Sequence, residues 1–347
     1  MRQKLEKRAG TTRYGKVTFL NVMCRYARGL VVAVFFLVLA GLGQAVPAEE
    51  FPTRPITLLI SHEPGAGTDV CARVIAQGAT KILGQEIIPM NRPGGGGSVS
   101  AGILANSKGD GYTLLASPSS PFEIIPHMES VAYDPLKDFV PIVQFGILYN
   151  GLLVRSDSPH KSFKDLIDFG RKNPGKASFG VPGIGTAPHL SIEYVMLKDK
   201  VSINVIPFKG GTPTVTALLG GHVSSCGVST SSYQAHLKAG KIRVLATTAE
   251  KRLKTSPDAP TLIELGYPQG VFNVLYLISA PNGTPPAVVK KLEAAFRKVM
   301  DTPGYRKLVE NLDMYAESPL SGEKLKEYIE TRYVQNGEVI KKANLGK

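Results

Sequence analysis

The stretch Ile56-Thr57-Leu58-Leu59-Ile60-Ser61-His62-Glu63-Pro64-Gly65-Ala66-Gly67-Thr68-Asp69-Val70 decides how this chain folds. Five apolar or β-branched residues read as a buried strand. A Pro/Gly turn follows, and residues 68–83 then place Val70, Val74, Ile75, Ala79 and Ile82 at helical spacing. Strand, glycine loop and helix in that order are the opening of a β-α-β unit. Working outward, residues 86–89 read as the next strand. A Gly-rich loop (91–97), a small-residue helix (99–106) and a strand (112–116) come after it. The alternation predicts a parallel sheet covered by helices.

Beyond Tyr133-Asp134-Pro135 two apolar stretches, 142–145 and 152–154, precede a helix over 162–171 that Asn173-Pro174-Gly175 ends. The pattern then restarts. Strands are expected at 177–181, 201–207, 223–228 and 242–247, with helices at 188–196, 212–219 and near 233–239. A strand at 274–280 follows the Asp258-Ala259-Pro260 linker. Thr284 reads as the cap of a helix with Pro285 in its first turn, and a last helix spans about 323–342 with Leu325, Ile329 and Tyr333 on one face. Two α/β units predict two lobes around a ligand cleft. Lobe 1 is expected to hold 49–150 plus 250–347 and lobe 2 to hold 151–249, with crossings near 148–155 and 245–255.

Composition narrows the function. At 43% hydrophobic and 20% charged residues, the 347-residue chain is globular and long enough for two domains. Three cysteines exclude a disulfide-stapled scaffold and a multi-cysteine zinc fold. The formal charge of +13 is concentrated at one end. Residues 1–48 hold eight Lys/Arg and one acid, so the remainder carries only +6. With no long basic run, nucleic acid is not expected as a partner.

That basic end reads as an export signal. Residues 30–42 are thirteen almost unbroken apolar positions, about 20 Å of helix, too short for a bilayer core. Arg25 and Arg28 precede them, and Val46-Pro47-Ala48 forms a small-x-small cleavage site before Glu49, with Ala45 as the alternative. Met23 is an alternative start that shortens the basic region. Export leaves Cys71 and Cys226 in an oxidising compartment, read as two separate buried residues, with one disulfide between them as the alternative.

Four loops at expected strand ends are rich in Gly, Ser and Thr: 63–69, 117–120, 183–189 and 209–212. Glycine lets backbone N–H groups approach a ligand, and each helix start adds partial positive charge. Any one loop can be a turn plus a cap; four together suggest a carboxylate or phosphate cradle. Catalytic patterns are absent. Ser229 sits in Gly227-Val228-Ser229-Thr230-Ser231, which is no nucleophile elbow. Lys209 precedes its glycines, so no P-loop forms, and Val70 stands where a dinucleotide fingerprint needs Gly. His62-Glu63 and His189 with Glu193 are weak metal candidates, and neither metal nor cofactor is expected.

From Phe51 onward the chain resembles the Bug (TctC-like) extracytoplasmic solute-binding receptors of tripartite tricarboxylate transporters. The resemblance lies in Phe51-Pro52-Thr53-Arg54-Pro55-Ile56, the 64–69 loop, Asn91-Arg92-Pro93-Gly94, Asp110-Gly111-Tyr112-Thr113-Leu114-Leu115, Tyr133-Asp134-Pro135, Gly185-Thr186 with His189-Leu190, Pro207-Phe208-Lys209-Gly210-Gly211, Lys238-Ala239-Gly240-Lys241 and Pro281-Asn282-Gly283-Thr284-Pro285. It implies a type II periplasmic-binding-protein-like fold of two α/β domains that closes on a small carboxylated solute. It also implies a periplasmic, monomeric, non-enzymatic protein whose partners are membrane permease subunits. An orphan sensor or, less in keeping, a secreted hydrolase are the alternatives. The site carried over is Gly65, Ala66, Gly67, Thr68, Asp69, Ser117, Ser119, Gly185, Thr186, His189, Lys209 and Gly210. Two departures add His62 and Ser229. Family members tend to have Pro-Phe in the first loop, where Ser61-His62 stands here, and acids in the strand after the Gly-Gly turn, where Ser224 and Val228 stand here, followed by Ser229. His62 either recognises a ligand oxygen or pairs with Glu63.

Overall fold

The computed structural model describes residues 51–346. The expected export signal at 1–48, the alternative start at Met23 and Cys24 lie outside them. Strands β1 (Ile56–Ile60), β2 (Ile87–Asn91), β3 (Thr113–Pro118) and β4 (Phe139–Leu148) belong to a first sheet. Strands β5 (Asn150–Arg155), β6 (Ser178–Val181), β7 (Asn204–Pro207), β8 (Ser225–Ser229) and β9 (Ile242–Thr247) form a second, and β10 (Val274–Pro281) returns to the first. The orders are β2-β1-β3-β10-β4 and β7-β6-β8-β5-β9. The two orders are the same arrangement. In each, the fourth strand is the one delivered by the other lobe. That strand runs antiparallel to both neighbours. The sheets are therefore mixed rather than wholly parallel as expected, because a chain crossing between lobes must enter the second sheet against its direction.

β1 shows why these residues build a central strand. Ile56, Leu58 and Ile60 are fully buried, and Leu58 lies between Pro89 and Leu114 in parallel register. Helix α1 (Gly67–Leu83) follows and buries Cys71, Ala72, Ile75, Ala76 and Ala79 against the sheet. Helices α2 (Ser98–Ala105), α3 (Ser120–Glu123) and α4 (Ile125–Met128) complete the first pass. The second lobe carries α5 (Phe163–Lys172), α6 (Ala187–Asp199), α7 (Gly211–Leu219) and α8 (Thr230–Lys238). α5 starts on a full capping box: the Asp165 N–H donates to Ser162 Oγ at 3.1 Å, and the Ser162 N–H donates to the Asp165 carboxylate at 3.0 Å. Helices α9 (Pro286–Met300), α10 (Pro303–Asn311) and α11 (Gly322–Lys342) close the chain.

Several elements differ from expectation. α3, α4 and α10 are too short for a periodic signal. Thr284 does not cap α9; its hydroxyl donates to Pro281 O at 2.7 Å, and Pro285 holds the cap position ahead of Pro286. On α11 the buried face runs through Leu325, Ile329, Arg332, Asn336, Val339 and Ile340, while Tyr333 stays half-buried. The segment after β9, expected with the first lobe, packs Ala259, Leu262, Leu265 and Tyr267 on the second. Its apolar side chains are nearest the second sheet, where Thr261 bridges to Thr247. Cys71 and Cys226 are free and buried, one in each lobe.

The two crossings meet in a buried polar knot. The Asn150 N–H donates to Thr248 Oγ1 at 2.9 Å, and the Thr248 N–H donates to Asn150 O at 2.9 Å. Asn150 Nδ2 donates to Phe272 O at 3.2 Å and Asn273 Nδ2 to Thr248 O at 2.9 Å. An apolar cluster of Ile124, Ala187, Leu190, Phe272, Val339 and Ile340 joins the lobes beside it.

Candidate functional site

The N-termini of four helices stand at the carboxyl ends of β1, β6, β7 and β8, as the chain order of each strand and its following helix requires. The cap positions of α1, α6, α7 and α8 are Ala66, Thr186, Gly210 and Ser229, and none supplies a side-chain cap. The first backbone N–H groups of a helix have no acceptor within it. In α1 these belong to Gly67, Thr68 and Asp69; in α7, Gly211 and Thr212.

In the first lobe the loop that presents α1 is braced from within. The Asp69 carboxylate accepts from the Gly65 N–H at 2.9 Å, from Arg73 Nε at 2.8 Å and from Asn91 Nδ2 at 2.8 Å. Burial pulls this carboxyl up, but the Gly65, Asn91 and Arg73 bonds outweigh it and hold the group below its ordinary range. Asn91 also donates to His62 O at 2.8 Å, which fixes the loop at its other end. Thr68 is buried, next to the Tyr276 phenol on β10; burial pushes that phenol up to about 12 while Thr68 draws it down. The Ser117 hydroxyl is buried without a hydrogen-bond partner among the described residues. Ser119 is committed elsewhere: it donates to Glu123 Oε1 at 2.6 Å and accepts from the Leu275 N–H at 3.2 Å.

The second lobe repeats the device. The Gly185 N–H donates to His189 Nδ1 at 2.9 Å, which leaves the proton of the neutral ring on Nε2, 3.3 Å from Glu193 Oε1. His189 is 1% exposed, so it props the loop and does not reach a solute. The Thr186 hydroxyl donates to Gly183 O at 2.8 Å, and the Gly210 N–H to Pro182 O at 3.2 Å. Lys209 is exposed beside it. Ser229 Oγ lies 3.1 Å from Ser231 Oγ and 3.0 Å from Ser232 Oγ. A Cβ placed on Gly211 would sit 2.3 Å from Ser232 Oγ, so the starts of α7 and α8 are packed together.

The expected residues thus gather in two groups, one per lobe: 61–69 with 117–119, and 183–189 with 209–211 and 229. The lobes touch where a Cβ on Gly185 would lie 2.1 Å from Met128 Sδ of α4. Asp69, His189 and Ser119 brace their loops, each bonding a residue four positions away. That spacing is a signal the sequence carries. Tyr276 and Asn91 join the site although no local pattern marks a role for them. A cavity of about 760 Å³ lies at the far end of the second sheet, lined by Arg155, His160, Phe169, Lys172, Lys176 and Ser224 among others, away from these helix starts. Among the described residues no group of side chains is suited to hold a metal ion.

This combination of two like-ordered α/β lobes, a double crossing and helix starts at the strand carboxyl ends defines a two-lobed binding-protein fold. Residues 71–345 match the tripartite tricarboxylate transporter family receptor (TctC), and the chain belongs to that family. A UPF0065 protein from the gbd 5' region of Cupriavidus necator is 39% identical over 287 residues, covering 82% of this chain and 86% of that protein. Protein BugT of Bordetella pertussis is 34% identical, covering 79% and 85%. Among solved structures, a TctC solute-binding protein from Polaromonas superposes with a TM-score of 0.76 at 28% identity, over 84% of this chain and 99% of that one. An R. palustris protein solved with adipate gives 0.68 at 28% identity (85% and 98% covered). MatC from Rhodopseudomonas palustris with bound malate gives 0.65 at 27% (84% and 100%). Receptors of this family are periplasmic, and among the described residues no helix is long and apolar enough to cross a membrane.

Proposed function

We propose that this protein captures a small carboxylated solute in the periplasm and delivers it to the membrane subunits of a tripartite tricarboxylate-type transporter. The observation that carries the reading is the set of four helices whose first-turn N–H groups have no side-chain cap. Those groups suit an oxyanion at low cost, since the donors at the starts of α1, α6 and α7 are already oriented, whereas in α8 the Thr230 N–H is spent on Tyr149 O at 3.1 Å. The solute would bind Gly67, Thr68 and the Ser117 hydroxyl from one lobe. Thr186, Lys209, Gly211 and Ser229 would bind it from the other. Residues 149–150, Thr248 and 271–273 serve as hinge segments around the Asn150–Thr248–Asn273 knot, so that closure brings both groups onto one ligand. The adipate and malate complexes of relatives support a carboxylate. The reading includes export by the signal at 1–48, action as a monomer, and no catalytic step. Among the described residues the Ser229 hydroxyl is bonded to the Ser231 and Ser232 hydroxyls, neither of which is a base.

The test is calorimetric titration of the mature protein with adipate, malate and, as a cationic control, hexylamine. A carboxylate should bind in the micromolar range and the amine should not. Small-angle scattering at saturation should show a smaller radius of gyration. Absence of heat with every carboxylate at millimolar concentration would overturn the reading.

A further inference from the structure

Beside the start of α1, the first lobe carries polar side chains that an oxyanion at the helix N–H groups does not require. Thr68 faces the Tyr276 phenol, and the Tyr276 ring lies 6.3 Å from the ring of His62. His62 is held on two sides. Its Nδ1 shares a hydrogen bond with Ser61 Oγ at 3.2 Å, and its carbonyl accepts from Asn91 Nδ2 at 2.8 Å. The pairing with Glu63 that the sequence left open is not formed, and Glu63 is exposed. The half-buried imidazole is therefore oriented with Nε2 unpartnered among the described residues. A flexible surface histidine would not be tied at both its ring and its backbone.

We propose that His62 reads a second oxygen-bearing group on the solute, so that the site prefers a carboxylate with a second carboxylate at its far end over one with a hydrocarbon tail of the same length. The inference rests on the reading that the start of α1 takes the first carboxylate. The groups facing His62 leave its charge to be set by the ligand. The Tyr276 phenol is neutral. Asp69 and Arg73 on α1 bond each other at 2.8 Å, and Ser61 and Asn91 carry no charge. Glu63, next in the chain, points its charge to solvent. Burial lowers the imidazole below its ordinary value in the free protein, which favours the neutral ring. A second carboxylate at Nε2 favours the imidazolium, so binding takes up a proton. Affinity for a dicarboxylate then rises as pH falls, and affinity for a monocarboxylate does not.

The experiment is calorimetric titration with adipate and with hexanoate at about pH 6 and about pH 8, on the wild type, His62→Phe and His62→Gln. The wild type should favour adipate by about 10-fold or more, as expected for one hydrogen bond to a charged group, and by a larger factor at the lower pH. His62→Phe should bring the two affinities within about twofold while still binding hexanoate and keeping its melting temperature. His62→Gln should retain part of the preference without its pH dependence. If His62→Phe keeps both the preference and its pH dependence, His62 is a structural residue and the inference fails while the carboxylate cradle stands. If the wild type binds neither acid, the cradle reading fails and takes this one with it.

Discussion

Replacing Glu123 by Gln should stabilise this protein at alkaline pH and barely alter it in acid. Glu123 is 1% exposed at the end of α3, against Tyr328, Arg332 and Asn336 of α11. Ser119 donates to its Oε1, yet its Oε2, Arg332 Nε and Asn336 Oδ1 are all buried without hydrogen-bond partners among the described residues. Burial pushes the carboxyl from 4.5 up to about 7, with Arg332 and Ser119 pulling it down only in part. The folded protein thus holds a proton that the unfolded chain has released between these two values. The contribution of Glu123 to stability is highest below pH 4.5, falls as pH rises through the window from 4.5 to 7, and stays low above it. From that shift, ionised Glu123 costs about 1 kcal/mol at pH 5 and about 3 kcal/mol at pH 8. Gln keeps the acceptor for Ser119 and has no charge to bury. Urea unfolding of both proteins at the two pH values measures the difference directly. A gain for Glu123→Gln that is equal at both values, or a loss at pH 8, would refute the reasoning. It would mean that Arg332 holds Glu123 as a stabilised carboxylate. The outcome bears on the hinge, since Arg332 Nη2 donates to Val271 O and its guanidinium lies 4.9 Å over the Phe272 ring.

Asp69→Ala should cost about 2–3 kcal/mol, because it leaves the Gly65 N–H, Arg73 and Asn91 without their acceptor. It should also weaken adipate binding about tenfold or more by loosening the 62–66 loop; urea melts and calorimetry together check both effects, and an unchanged affinity would show that α1 alone shapes the site. Gly185→Ala places a side chain at φ +71° and 2.1 Å from Met128 Sδ, so unfolding free energy should fall by about 1–2 kcal/mol. Adding Met128→Ala should recover the steric share and leave the backbone share, and a single variant as stable as wild type would remove this contact between the lobes from the argument.

Much of the architecture was legible in the sequence. The apolar run 56–60, the glycine turn and the helical spacing after it imply a βα unit whatever lies around them, because periodicity and turn chemistry are local. The restart of the pattern after residue 177 implied the second lobe in the same way. The Gly/Ser/Thr-rich loops were visible too as the uncapped helix starts that follow short strands. The antiparallel placing of β5 and β10, however, was hidden. Strand direction is set by which lobe a strand arrives from, and no residue within it encodes that.

Within the site, residue type alone misleads about role. Asp69, His189 and Ser119 belong to the kinds of residue that grip ligands, but Gly65, Gly185 and Glu123, each four positions away, already use them. The remaining contacts join residues far apart in the chain: Tyr276 with Thr68, Asn91 with Asp69, Arg332 with Val271. Sequence determined the local elements and where backbone N–H groups are left over, because both follow from neighbours within a few residues. Only the tertiary structure decided which side chains spend their hydrogen bonds inside the protein and which, like His62, keep one to offer, because that depends on partners the fold brings in from distant segments.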